Sequence, residues 1–299
     1  MPVEVQRQIE LIGAAWGLGG PEPGCAEAPG ALTPLLAAEL ERRGVPVHAG
    51  PILFPSRTER RRQLAVSKLC GLLASAVAES LRRGRLPCVL GGDHSCAGGT
   101  WSGVARATKG ALGLVWVDAH MDAHTPRTSH TGRLHGMPLA WLLGQDDDPL
   151  YGLATGVLEP QNVALLGVRS YEPEERERLE RLGVRVVYMN EVAARGIDAV
   201  LDEAVAIATR GTAAFGLSVD LDVVSPEEAP GVGTPVPGGV AATALARSLE
   251  RIGGRRDLVA VEIVEYSPRL DPGGHTARVA VEIARAALCG SREQAQVVT

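Results

Sequence analysis

The fold is decided by the stretch Leu112-Gly-Leu-Val-Trp-Val-Asp118-Ala-His120-Met-Asp122, in which an apolar run ends in a row of polar side chains. Its first six residues are apolar on both faces, which is typical of a strand in a parallel sheet covered by helices. Asp118, His120 and Asp122 are spaced by two, so in an extended segment they point to one side. Because parallel α/β sheets bind ligands at the carboxyl ends of their strands, the stretch predicts a ligand site there.

Similar apolar runs alternate with helical patterns along the whole chain. The predicted strands span residues 9–14, 87–90, 112–117, 163–168, 184–189, 214–219 and 258–264. The predicted helices span residues 31–43, 62–83, 98–108, 173–182, 198–209, 241–252 and 277–288. This alternation predicts an α/β fold with a mostly parallel sheet flanked by helices on both faces. With 299 residues and no linker-like composition, we expect one domain over residues 1–299, ending in a loose C-terminal tail at 291–299.

Two further segments place metal-ligand side chains just after predicted strands: Gly91-Gly92-Asp93-His94-Ser95 and Asp220-Leu221-Asp222. The candidate metal ligands are His94, Asp118, His120, Asp122, Asp220 and Asp222. A single aspartate of this kind is usually an ordinary turn residue. Four carboxylates in one place repel one another, however, and two dications would offset their charge.

The donor types narrow the choice of metal without fixing it. Carboxylate oxygens with a minority of imidazoles and no thiolate suit Mn²⁺, although Zn²⁺ or Co²⁺ accept the same ligands. Beside these ligands, Asp93 and Ser95 either support the metal ligands by hydrogen bonds or cap the helix that follows them.

Composition argues against several partners. The net charge is −5 with one short arginine run, so nucleic acid is not expected as a partner. No membrane partner is expected either, since no apolar run approaches the length of a membrane span. The five cysteines show no metal-binding spacing, and the first ten residues do not resemble a signal peptide. Reduced thiols in a cytoplasmic protein fit this pattern.

Together with Gly233-Thr234-Pro235 and Glu265-Tyr266-Ser267-Pro268, these motifs resemble the signatures of the arginase/agmatinase (ureohydrolase) family, in its order and at its spacing. The resemblance covers nearly the whole chain and implies an arginase-like three-layer α/β/α domain with two Mn²⁺ ions on the six candidate ligands. It also implies a hydrolase that attacks a substrate guanidinium with a metal-bridging hydroxide and releases urea. Homotrimers or homohexamers are common in the family.

The same resemblance assigns roles to further residues. His135 matches an acid/base and proton shuttle, Glu265 holds the guanidinium, and Thr234 lines the guanidinium pocket. Asp122 is the residue best placed to orient the hydroxide. From the residues alone, His135 fits a packed helix-start histidine equally well, and Glu265 fits a buried, paired acid.

Within the family the chain looks like the arginase branch, because the stretch from Asp122 to His135 has arginase length. Ser129 and Thr131 match hydroxyl residues for the substrate α-carboxylate, and Glu172 and Glu175 match acids near its α-ammonium. The expected reaction is therefore hydrolysis of L-arginine to L-ornithine and urea.

Three positions depart from the arginase pattern. His124 replaces an asparagine that also touches the carboxylate, Arg133 replaces a small polar residue, and Ser170 replaces an aspartate. These changes keep agmatine, 4-guanidinobutyrate or a related guanidino compound open as the substrate. A catalytically silent relative that acts as a binding protein is a third hypothesis.

Overall fold

Parallel strands form the middle layer of the computed structural model, which describes residues 7–56, 58–145 and 156–290. The strands of these described ranges are β1 (Ile9–Ala14), β2 (Val47–Leu53), β3 (Leu86–Gly91), β4 (Leu112–Val117), β5 (Val163–Val168), β6 (Arg185–Tyr188), β7 (Ala214–Asp220) and β8 (Leu258–Val264). They make one sheet in the order β2-β1-β3-β8-β7-β4-β5-β6, in which every pairing is parallel.

Helices cover both faces of this sheet. They are α1 (Ala28–Arg42), α2 (Arg62–Arg82), α3 (Ala97–Ala107), α4 (Pro138–Leu142), α5 (Pro173–Leu182), α6 (Met189–Arg195), α7 (Ile197–Ala208), α8 (Ala242–Glu250) and α9 (His275–Cys289). One apolar core joins α1, α7, α8 and α9 to the sheet, and the other joins α2 to α5 to its opposite face. The predicted α/β fold with helices on both faces is therefore confirmed, whereas the predicted tail at 291–299 lies outside the described residues.

The strand order brings the predicted site together. After β3 the chain forms β4 three positions away in the sheet, and β8 and β7 later occupy the two positions between them. The four strands β3, β8, β7 and β4 are thus neighbours in the centre of the sheet. Each is followed by candidate site residues, so their carboxyl ends deliver those residues to one edge.

Close approach to the sheet requires glycine at two positions. A Cβ on Gly216 of β7 would lie 1.9 Å from the ring of Trp101 on α3. A Cβ on Gly92 would lie 1.8 Å from the carbonyl oxygen of Trp16. These contacts press α3 onto β7 and hold the turn that carries His94 against the loop after β1.

Four elements differ from the sequence-based prediction: β2, α4 and α6 were not predicted, and β6 ends earlier than predicted. The strand β2 was missed because it is a partly exposed edge strand that contains Gly50 and Pro51, unlike the two-sided apolar strands of the centre. The helix α4 was missed because it has only five residues. The strand predicted to end at residue 189 ends at Tyr188, where α6 begins.

The expectation that no apolar run reaches membrane-span length was wrong for α2. This helix has 21 residues and a mean hydropathy of 1.5 over its most apolar window, and 56% of that window is buried. Its buried side chains pack with α3 and the sheet in one apolar core. Its hydropathy is therefore that of a core helix.

Candidate active site

The six candidate metal ligands meet at the carboxyl ends of three strands. His94 lies in a single helical turn after β3, Asp118 follows β4, and Asp220 is the last residue of β7. The Nδ1 atom of His94 lies 3.2 Å from a carboxylate oxygen of Asp118 and 3.2 Å from one of Asp220. A carboxylate oxygen of Asp122 is 3.0 Å away from the same nitrogen.

A second group of ligands adjoins the first. The Nδ1 atom of His120 lies 2.9 Å from Asp222 and 3.6 Å from Asp118. His94, Asp118 and Asp220 form one group that can hold an ion, and Asp118, His120 and Asp222 form another. Asp118 belongs to both groups, which is the arrangement that two neighbouring cations with a shared carboxylate require.

The hydrogen bonds behind His94 fix which nitrogen faces the acids. Its Nε2 atom lies 3.0 Å from the Ser218 hydroxyl, and that hydroxyl donates to the Glu262 carboxylate at 2.8 Å. The Ser218 oxygen therefore accepts a hydrogen bond from the Nε2–H group, and the Nδ1 lone pair points toward the carboxylates. Nδ1 is buried and makes no hydrogen bond in the part of the chain that the structure describes. A bare nitrogen facing acids is the arrangement of a metal ligand with a hydrogen-bonded ring, so these residues fit a metal ion.

A Ser218→Ala variant tests this support. The His94 ring loses the partner that fixes its tautomer, so we expect roughly 10–100-fold weaker metal binding. Equilibrium dialysis against Mn²⁺ measures the affinity, and Ser248→Ala provides a matched control because Ser248 is a buried serine on α8, away from the ligands. Equal Mn²⁺ affinities for the two variants would contradict the proposed support.

Charge crowding dominates the electrostatics of the ligand cluster. Burial and the charge of Asp118 raise the pKa of Asp122 to about 6. Burial and the charge of Asp222 raise the pKa of Asp220 well above its usual range. Burial opposes protonation of His94, but the surrounding aspartates outweigh it and raise the pKa of that imidazole well above 6.5. The cluster thus attracts positive charge, which divalent cations supply better than protons.

His135 and Glu265 form an ion pair beside the ligand cluster. Nδ1 of His135 lies 2.9 Å from Oε1 of Glu265, which also accepts a hydrogen bond from the His94 backbone at 2.8 Å. Burial opposes the charged form of His135, but the Glu265 carboxylate raises its pKa to about 9. Glu265 is 1% exposed, whereas the His135 side chain is 14% exposed. The imidazole therefore lies between a buried acid and the outside of the site.

Backbone strain is concentrated at the same place. Among the described residues, Asp122 (φ 49°) and Glu265 (φ 66°) are the only non-glycine residues with positive φ. Such conformations are unfavourable for residues with a Cβ, and they persist where the surroundings impose them, often at functional sites. Both residues were predicted to act in catalysis, so this strain is independent support for a working site.

Thr234 and Arg169 hold Asp222 from two sides. The Thr234 hydroxyl donates to Asp222 at 3.1 Å. The Arg169 guanidinium donates to the backbone carbonyls of Asp222 and Val236 at 2.7 and 2.8 Å. The sequence pointed to Thr234 through the resemblance, but it gave no signal for this use of Arg169.

The residues predicted for the substrate's amino-acid end fall into two sets. His124 contacts both acids, with its Nε2 atom 3.0 Å from Glu172 and 3.4 Å from Glu175. Ser129 and Thr131 instead use their hydroxyls within their own loop, where they accept hydrogen bonds from the backbone of Gly132 and Arg133. The structure thus brings His124, Glu172 and Glu175 together and leaves Ser129 and Thr131 on the outer loop.

Several contacts of the site were not predicted from the sequence. Asp93 accepts a hydrogen bond from the Gly19 backbone at 2.7 Å and caps the turn that carries His94, so its capping role is the one observed. The Cys25 thiol lies 3.7 Å from Glu265. Neither Ser218 nor Glu262 stood out in the sequence, since both lie inside apolar strands. A polar residue within such a strand is the signal that could have found them.

Comparisons with known proteins agree with this geometry. The arginase family model matches residues 7–290. An arginase of Brevibacillus brevis is 37% identical over 93% of this chain and 97% of its own length. The solved arginase of Bacillus caldovelox is 35% identical, with a TM-score of 0.90 over 96% of this chain and 99% of its own. The Entamoeba histolytica arginase, solved in complex with L-ornithine, is 27% identical, with a TM-score of 0.87 over 94% of this chain and 97% of its own. The chain belongs to the arginase family of amidinohydrolase enzymes.

Proposed function

We propose that this protein is a binuclear manganese hydrolase that converts L-arginine to L-ornithine and urea. The observation that carries the proposal is the pair of ligand groups that share Asp118, with the Glu265–His135 ion pair beside them. The names of the similar proteins support the substrate, since they are arginases and one was solved with L-ornithine.

The six-ligand cluster would hold two Mn²⁺ ions. His94, Asp118, Asp122 and Asp220 surround one position, and Asp118, His120 and Asp222 surround the other. Oxygen ligands predominate over nitrogen, and sulfur is absent from both groups, which favours manganese. When bound, the two cations supply a nucleophile at neutral pH by lowering the pKa of water from about 15.7 toward about 7.

The protein's own residues then position the substrate and move protons. Glu265 binds and orients the cationic guanidinium, because its buried carboxylate is already fixed by the His94 backbone. Asp122 orients the attacking water through a hydrogen bond. His135 is partly exposed and carries a proton at neutral pH, so it can protonate the departing amine nitrogen and regain a proton from solvent.

A second substrate class is favoured by His124. Its Nε2 atom already contacts Glu172 and Glu175, the acids that would bind an α-ammonium group. A guanidino compound without that group, such as 4-guanidinobutyrate, does not need to compete with His124. Agmatine keeps an ammonium group and lacks the carboxylate for which Ser129, Thr131 and His124 are proposed donors, so the His124 contact does not favour it.

The test compares substrates on one preparation. Protein incubated with Mn²⁺ and freed of excess metal is assayed for urea from L-arginine, agmatine and 4-guanidinobutyrate. We expect kcat/KM to be highest for L-arginine and lower for agmatine, because His124, Ser129 and Thr131 would have no carboxylate to bind. Preference for 4-guanidinobutyrate would support the alternative, and comparable rates with agmatine would overturn the carboxylate assignment. Metal-loaded protein that releases urea from none of them would point to another guanidino substrate, whereas protein that binds no Mn²⁺ would favour the silent binding protein.

We also propose a cytoplasmic homotrimer or homohexamer. The five cysteines are all free thiols, four of them buried, which suits a reducing compartment. Light scattering after size-exclusion chromatography tests the oligomeric state directly.

A further inference from the structure

A third cluster of ligand side chains lies outside the six-ligand cluster. His124, Glu172 and Glu175 each offer one atom within 4.8 Å of the others. The His124 and Glu175 side chains are 11% and 4% exposed, whereas that of Glu172 is 52% exposed. The cluster is therefore rigid on its inner side and open to solvent through one acid.

Contacts with the surrounding residues fix two of these side chains. Nδ1 of His124 lies 3.1 Å from the Thr128 hydroxyl, which leaves Nε2 directed at the acids. Glu175 accepts hydrogen bonds from the backbone of Ala123 at 3.0 Å and of Glu172 at 3.1 Å. An imidazole anchored through its second nitrogen is the usual arrangement of a metal-binding histidine.

The spacing of the ligand atoms fits a small divalent cation. Zinc binds imidazole nitrogen and carboxylate oxygen at about 2.0–2.2 Å, so tetrahedral ligand atoms lie roughly 3.3–3.6 Å apart. The two distances from Nε2 of His124 to the acids are 3.0 and 3.4 Å. Small side-chain shifts would open this group around an ion.

The charge of the cluster also favours a cation. Glu172 and Glu175 place two carboxylates close together, and a divalent cation would offset their like charges. A second imidazole is close, because the ring of His130 lies 6.5 Å from that of His124, on the exposed loop.

We propose that His124, Glu172 and Glu175 form a third divalent-cation site, which takes Zn²⁺ or a similar borderline ion at the entrance to the substrate site. Three protein ligands with an open position are typical of an accessible zinc site. Like the two inner groups, it combines one imidazole with two carboxylates, and its exposed acid, Glu172, sets it apart from them.

Occupation of this site has a kinetic consequence that rests on the proposed function. The cation would occupy the acids that bind the substrate α-ammonium. Zinc should therefore raise KM for L-arginine and leave kcat unchanged, because the reacting guanidinium is bound elsewhere.

The decisive experiment counts total metal and does not depend on activity. Mn²⁺-saturated protein is dialysed against low micromolar Zn²⁺, and manganese plus zinc per chain are measured by elemental analysis, so that exchange at the inner cluster does not alter the sum. We expect His124→Asn and Glu172→Gln to bind one equivalent less than the wild type. His275→Asn, which changes a histidine at the start of α9, should match the wild type.

The outcomes separate this proposal from the proposed function. Equal total metal in the wild type and both variants would overturn the third site, whatever the enzyme hydrolyses. If His124→Asn does not fold, Glu172→Gln still decides, since its side chain is half exposed. Loss of one equivalent without urea release from any substrate would support the site and reject the proposed reaction. Zinc inhibition that persists unchanged in Glu172→Gln would reject the kinetic consequence.

Discussion

An Asp118→Asn variant should bind neither Mn²⁺ ion tightly and should lose more than about 100-fold in urea release, since even residues behind metal ligands cost about 10–100-fold when replaced. Asp118 belongs to both ligand groups, and one of its carboxylate oxygens also accepts from the Trp116 indole at 2.9 Å. Asparagine keeps the shape and an acceptor oxygen but removes the shared charge. Elemental analysis after desalting and a urea assay measure the two losses.

Thermal unfolding distinguishes this loss from misfolding. Ligand at 100 times its Kd stabilises the native state by about 2.7 kcal/mol, so Mn²⁺ should raise the Tm of the wild type by several degrees. It should not raise the Tm of Asp118→Asn. Burial opposes ionisation of Asp118, but His120 and His94 outweigh it and lower the pKa of that carboxyl, so the metal-free variant should melt earlier than the metal-free wild type. Asp198→Asn serves as a control, since Asp198 is an exposed acid on α7. A normal Mn²⁺ shift in Asp118→Asn would contradict the shared-ligand model.

A Glu265→Gln variant should keep both metal ions and still lose more than about 100-fold in kcat/KM. Removing one partner of a buried ion pair costs about 3–5 kcal/mol, and each 1.4 kcal/mol is tenfold. The substrate guanidinium would lose its counter-charge, whereas none of the six candidate metal ligands is changed. Steady-state kinetics and metal analysis on the same preparation test the two halves of this expectation.

The same variant makes a prediction about pH. Glu265 raises the pKa of His135 to about 9, so neutral glutamine should let that pKa fall toward its ordinary value of about 6.5. The group needed as an acid then loses its proton at lower pH, and the alkaline limb of the kcat profile should move down. Glu10→Gln is a matched control. Glu10 is a buried acid paired with Arg85, and it lies near the amino-terminal end of β1, whereas the site is at the carboxyl ends of the strands. An unmoved alkaline limb would exclude His135 as the proton donor.

The centre of the fold could be predicted from the sequence because its strands are buried on both faces. In β4, for example, Leu114 and Trp116 enter one core while Val115 and Val117 enter the other, and such runs are recognisable without alignment. The edge strand β2 lacks that pattern, and short helices such as α4 have too few residues to show a period. The type and order of the central elements could therefore be predicted from the sequence. The edge strand and the short helices could not, because tertiary contacts determine where they form.

The candidate site was likewise predictable from the sequence only in part. That acids and histidines follow several parallel strands is visible in sequence, and the sheet order places them within contact distance. The pairing of His124 with Glu172 and Glu175 was not predictable, because it joins the loop after β4 to the start of α5, and the packing of α5 sets how closely they approach. The support of His94 by Ser218 and Glu262 was hidden for a related reason: these side chains meet only when β7 and β8 are neighbours.

The sheet order also governs when the site can form during synthesis. β3 and β4 are made early, but β8 must insert beside β3, with Val261 pairing to Cys88 across most of the chain. Such non-local pairing is slow, since the loop must close before its contacts are gained. A nascent chain therefore carries two unpaired central strand edges, which are prone to aggregation until the C-terminal third emerges. Asp220 and Asp222 are synthesised only at and just after the end of β7, so the complete set of metal ligands is absent during the early stages of folding. The metal centre can therefore form only late in translation.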